Sequence, residues 1–109
     1  MDMSFFPDDI DGQVKWLNQY AKAVMTYGPI MEIPATVAAD AQDLARGLRF
    51  VKLNIEMALK EGEEPGRETV LAFSKIQRWV REQANYLRNH MCYTPSLGRI
   101  FGVERRIAA

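Results

Sequence analysis

The chain has 109 residues, 48% of them hydrophobic and 26% charged, with 14 basic and 14 acidic side chains. That composition supports one folded domain with its own core and excludes a wholly disordered chain. Neutral overall charge argues against a domain built mainly to hold nucleic acid.

The balance conceals an asymmetry. Residues 1–64 carry 11 acidic and 6 basic side chains, net −5, and residues 65–109 carry 3 acidic and 8 basic, net +5. Two readings stand: the halves complement each other within one fold, which is the simpler, or a basic face meets an acidic partner. No apolar run is long enough for a transmembrane helix. The start, Met1-Asp2-Met3-Ser4-Phe5-Phe6-Pro7, has neither the basic nor the long apolar stretch of a signal peptide. Cys92 is the only cysteine, so no intrachain disulfide forms. The expected location is the cytoplasm, with no membrane association.

A first helix is predicted over about 8–28. Pro7 and Asp8 signal its start, and Asp8, Asp9 and Asp11 put negative charge at the positive end of the helix dipole. Ile10, Val14, Leu17, Ala21 and Val24 form one apolar seam, and Asp11 and Lys15 are spaced as an i,i+4 ion pair. Gly28-Pro29 reads as the stop, with Gly28 in a left-handed cap. The connection Pro29–Pro34 contains Ile30, Met31 and Ile33. These side chains either tuck over the core end, the favoured reading, or face a partner.

The second helix is predicted over about 35–61. Val37, Ala41, Leu44, Leu48, Val51, Ile55 and Ala58 alternate by four and three, while Arg49, Lys52, Glu56 and Lys60 mark a wet face. Gly47 interrupts this helix, at a cost of about 1 kcal/mol relative to Ala, and suggests close approach of another helix. Gly62 and Glu63-Glu64-Pro65-Gly66 read as stop and turn.

A third helix is predicted over about 66–91, with Pro65 suited to a first helical position. Its seam is Phe73, Ile76, Val80, Ala84, Leu87 and Met91. Thr94 then caps a short helix over 95–101, with Pro95 first and Gly102 as its stop. Val103–Ala109 read as a frayed tail. No alternating strand pattern and no repeat competes. The expected fold is all-α, a single domain over 1–109: an antiparallel bundle of three long helices with a short fourth at the C-terminus.

A second apolar stripe widens each long helix. It comprises Trp79, Tyr86 and Tyr93 at intervals of seven with His90 among them, Phe50 and Met57, and Trp16, Tyr20 and Tyr27. Each helix of a three-helix bundle touches two neighbours, so a wide apolar face suits a core. Aromatic residues are also enriched at interface centres. Trp79, Tyr86, His90 and Tyr93 are therefore the candidate interface, toward a second copy or another protein.

No catalytic, cofactor-binding or metal site emerges. His90 and Cys92 are the only imidazole and thiol groups, too few for a zinc site within one chain. No nucleophile elbow and no Gly-rich phosphate loop exists. Glu61 and Glu64 have Glu-x-x-Glu spacing but fall in a turn, and no second acidic pair follows, unlike helical nucleotide pyrophosphohydrolases. Arg81 and His90 stand too far apart for the Arg–His motif of HEPN-type helical ribonucleases. Arg78, Arg81 and Arg88, with Lys75, are spaced as a face for an anionic partner such as nucleic acid. The expected function is a non-enzymatic protein–protein interaction or assembly module, with nucleic-acid binding or regulation as the alternative. A small-ligand carrier with a pocket between helices is a third.

Phe6-Pro7-x-Asp9, Trp16, Asn18, Arg67-x-Thr69 and Arg99-x-Phe101-Gly102-Val103 resemble a group of bacterial helical-bundle proteins with no assigned activity. Those proteins open on Pro-x-x-Asp and Trp-x-x-Asn-Phe and close near Leu-Gly-Ile. Here Trp16 and Asn18 are two apart and Phe101 stands for Leu. The resemblance spans residues 6–103 and implies a helical bundle without implying a mechanism.

Overall fold

The computed structural model describes residues 3–104. It is all-α, with α1 at Ile10–Tyr27, a 3-10 turn at Gly28–Met31, α2 at Thr36–Lys60, α3 at Arg67–Asn89 and α4 at Pro95–Phe101. No strand occurs among the described residues. The shape is elongated, 50 × 32 × 21 Å.

The first helix starts two residues later than its Pro-Asp signal suggests. Asp9, in an extended conformation, caps it, and its carboxylate accepts from Gly12 N–H at 2.8 Å. Only Asp9 stands the right distance before that free amide. Buried Gln13 donates to the Pro7 carbonyl at 2.9 Å and fixes the approach of the N-terminal segment. The expected pairing of Asp11 with Lys15 is replaced by a longer-range one, since Lys52 on α2 reaches Asp11 at 2.9 Å.

Gly28 does not take the left-handed cap. Its φ is −54°, the chain continues into the 3-10 turn, and the left-handed residue is Glu32, with φ 55°. Gly28 is needed for space: a Cβ there would meet the Ile33 carbonyl oxygen at 2.9 Å. Ile33 N–H in turn donates to Gly28 O at 2.8 Å. The apolar connection folds inward as favoured, with Met31 and Ile33 buried, and only Ile30 left outside.

The longest helix packs closely along α1 through small side chains. Ala38, Ala41, Ala45 and Leu48 meet Leu17, Ala21 and Val24 in the core. Contact between α2 and α3 is sparser. Gly47 admits no neighbouring helix, because nothing lies within 4 Å of a Cβ placed there.

The third helix begins at Arg67, within a residue of the expected start, with Gly66 extended at its N-cap and Pro65 outside it, and ends at Asn89 with His90 as C-cap. Met91 lies beyond the helix and is exposed, so it leaves the expected seam. Thr94 caps α4 as expected, Gly102 is left-handed at φ 78°, and Phe101 is buried. Val103 is not frayed but fully buried, because Gly102 turns the chain back and Val103 N–H donates to Gly98 O at 2.8 Å. The rest of the expected tail, from residue 105 onward, lies outside the described residues.

Candidate functional site

The aromatic residues fall into two groups with opposite fates. Trp16 and Tyr20 stack at 5.0 Å between ring centres, Tyr20 meets the edge of Trp79 at 5.7 Å, and Phe101 lies 5.8 Å from Tyr20. Buried Tyr20 donates its hydroxyl to Gln83 Oε1 at 2.7 Å. Desolvation, helped by nearby Tyr86, holds the Tyr20 phenol well above its ordinary pKa. Trp79 is therefore half-buried inside the fold, with one edge toward the surface.

The other three candidate interface residues also bond within the chain. Tyr86 donates its hydroxyl to the carbonyls of Met31 and Glu32, at 2.9 and 3.2 Å. His90 accepts at Nδ1 from Cys92 N–H at 3.0 Å, and its Nε2 lies 3.6 Å from Glu32 Oε1. Tyr93 donates to the Glu104 carboxylate. Burial, the hydrogen bond to Glu104 and that carboxylate's charge raise the Tyr93 phenol to about 12, with Arg88 pulling the other way. Trp79, Tyr86, His90 and Tyr93 thus bind α3 to the core, to the 3-10 turn and to the C-terminal segment. They do not form one free face.

The three arginines separate in the same way. Arg78 and Arg81 are exposed, whereas half-buried Arg88 donates to the Val103 carbonyl and stacks over the Phe5 ring at 5.5 Å. The remaining cations, Lys75, Arg78 and Arg81, spread over about 120° of helix surface at 3.6 residues per turn. Among the described residues no three His, Cys, Asp or Glu side chains converge as a metal site.

A different surface stands out. Phe50, Leu53 and Met57 on α2 are 69%, 51% and 53% exposed, and Leu71 on α3 is 59% exposed. The α2 spacings of three and four put Phe50, Leu53 and Met57 on one stripe, about half a turn from buried Leu48 and so directed away from α1. Beside the stripe runs a groove of about 470 Å³ between α2 and α3. Leu44 and Gly47 line one wall, Ala72, Ile76 and Trp79 the other, and Asp40, Asp43 and Lys75 complete the lining. Sequence patterning marked Phe50 and Met57 but missed Leu53 and Leu71. The signal for Leu53 was available, as the residue that joins Phe50 to Met57 on one face.

No described helix is long and apolar enough to cross a membrane. No protein-family model, curated protein or solved structure matches this chain.

Proposed function

We propose that this chain is a non-enzymatic protein–protein interaction or assembly module of the cytoplasm, and that it works through the outer face of α2 and α3. The observation that carries this reading is the exposure of Phe50, Leu53 and Met57 along one stripe of α2 directed away from α1, with Leu71 exposed on α3. Burying one large apolar side chain fully contributes about 1.5–3 kcal/mol, and an apolar patch bordered by charges is the common form of a protein contact. Trp79, Tyr86, His90 and Tyr93 each have partners within the chain, which favours α2 over the aromatic stripe of α3 for the contact role. Nucleic-acid binding draws no comparable support, because Arg88 is engaged internally.

The test is a photo-crosslinking residue introduced at position 53, compared with one at exposed Ile100 on α4, in cells producing the protein. Defined adducts are expected from position 53 and not from position 100. Absence of any adduct at position 53 removes the reading.

A further inference from the structure

We propose that the seam between α1 and α2 binds a compact polyanion of the diphosphate or triphosphate class, held by Lys15, Lys22, Arg46 and Arg49 over the side-chain amides of Asn18 and Gln42. The site is separate from the Phe50, Leu53 and Met57 stripe, which is directed away from α1, and it does not depend on the interaction role above. Its support is the sorting of charge along the seam, a pocket at its middle, and the short length of the basic patch.

The first 64 residues are acidic overall, with 11 acidic and 6 basic side chains. Five of those six, Lys15, Lys22, Arg46, Arg49 and Lys52, nevertheless belong to this one seam. On α1, Lys15, Asn18 and Lys22 are spaced by three and four; on α2, Gln42, Arg46 and Arg49 are spaced by four and three. Each set therefore shares a helix face. The fold brings the two faces together, because Lys52 reaches Asp11 at 2.9 Å and Asn18 lines a pocket with Gln42, Ala45, Arg46 and Arg49. In this antiparallel register Lys15 stands level with Arg49, and Lys22 with Gln42.

Three carboxylates border the seam. Lys52 holds Asp11, and Arg46 holds Asp43 through Nη1, each at 2.9 Å. Glu56 stands seven residues beyond Arg49, about 10 Å along the helix. Lys15, Lys22 and Arg49 are exposed and make no ion pair among the described residues. The Arg46–Asp43 pair is exposed on both sides, and such surface pairs contribute little, so Arg46 can turn to a more highly charged anion.

The pocket measures about 240 Å³, below the roughly 300–1,000 Å³ typical of sites for drug-sized ligands. Asn18 is half-buried in it, and neither its amide nor that of Gln42 has a hydrogen-bond partner among the described residues. Guanidinium forks and amide N–H groups are the donors that phosphoryl oxygens accept. The patch is also short. Lys15 and Lys22 are about 10 Å apart along α1, and the α1 face runs on to the neutralised Asp11 at one end and to exposed Met25 at the other. Packed helix axes lie about 8–10 Å apart. A patch of that size covers two or three linked phosphoryl groups, whereas a nucleic-acid strand calls for cations that continue along it.

The experiment titrates pyrophosphate and tripolyphosphate into the full chain at constant ionic strength. Binding is read by calorimetry and by the side-chain N–H signals of Asn18, Gln42 and Arg49 in nuclear magnetic resonance. Saturation at one anion per chain is expected, with those signals shifting, while sulfate at the same ionic strength leaves them in place. Arg49→Gln and Lys22→Gln should each weaken tripolyphosphate binding about tenfold with the far-ultraviolet circular dichroism unchanged. Arg78→Gln removes one charge from α3 and should leave the affinity as in wild type. Tighter binding of ATP than of tripolyphosphate would identify a nucleotide as the source of the phosphates, and equal binding a free polyphosphate. No saturable binding, equal binding of sulfate, or equal weakening by Arg78→Gln overturns the proposal. The crosslinks expected at position 53 are independent of either result.

Discussion

Trp16 on α1 donates its indole N–H to the carbonyl of Gly102, 86 residues away, at 2.9 Å. The bond closes the chain: the first helix holds the turn that follows the last one. Phe6 meets the same indole edge-on at 5.3 Å, and Tyr20 stacks on it, so the segment before α1 and the turn after α4 converge on one side chain. Phe6, Trp16 and Gly102 all act here in building the fold.

Gly102→Ala tests that closure. At φ 78° an L-residue pays a steric cost, and the added Cβ would meet Trp16 Nε1 at 2.9 Å. The left-handed conformation alone costs about 1–2 kcal/mol, and displacement of Trp16 adds to it. The urea midpoint should fall accordingly, with the melting temperature lower by about 5 °C or more. Gly66→Ala is the control, since nothing lies within 4 Å of a Cβ there and no positive φ is required. Equal stability of wild type and Gly102→Ala would mean that the turn is not held as described.

The second prediction concerns alkaline pH. Folding raises the Tyr93 phenol from its ordinary 10.0 to about 12, first by burial and then through Glu104. The folded chain therefore holds this proton more tightly than the unfolded chain. Its contribution to stability is complete below pH 10 and is lost as pH rises through about 12. Tyr20 and Lys52 are also shifted upward, Tyr20 by desolvation and Lys52 first by its hydrogen bond to Asp11, so both act in the same direction. Urea unfolding at pH 9, 10, 11 and 12 should show a steeper decline for wild type than for Tyr93→Phe. Parallel declines would exclude a distinct Tyr93 contribution.

The helices were legible because their signal is local. Seams spaced by three and four report periodicity without reference to any neighbour, and the cap at Thr94 and the left-handed Gly102 need only a few adjacent residues. The lateral assignment was not legible. Phe50 and Met57 share the spacing of Trp79 and Tyr86, yet the first pair is exposed on the outer face of α2, while Trp79 is half-buried against Tyr20 and the partly exposed Tyr86 bonds through its hydroxyl to the 3-10 turn. The difference arises from what stands opposite. The C-terminal part of α3 meets the 3-10 turn and the returning chain, whereas among the described residues no element packs on the outer face of α2. Gly28 shows the same limit at smaller scale, because its reason for being glycine is the Ile33 carbonyl, an approach that spacing alone does not reveal.

Tyr86→Phe separates the two roles that sequence patterning left open for the α3 stripe. The ring remains and packs near His90, at 5.8 Å between centres, but the hydroxyl that donates to the Met31 and Glu32 carbonyls is lost. A hydrogen bond of this kind contributes about 1 kcal/mol net. The loss should appear as lower stability and faster amide exchange in the 3-10 turn, where Tyr86 acts as a strut from α3. The mass in solution should stay that of wild type at every concentration, since position 86 lies on α3, apart from the exposed Phe50, Leu53 and Met57 stripe of α2. Altered mass with unaltered stability would reverse the assignment and return Tyr86 to an interface.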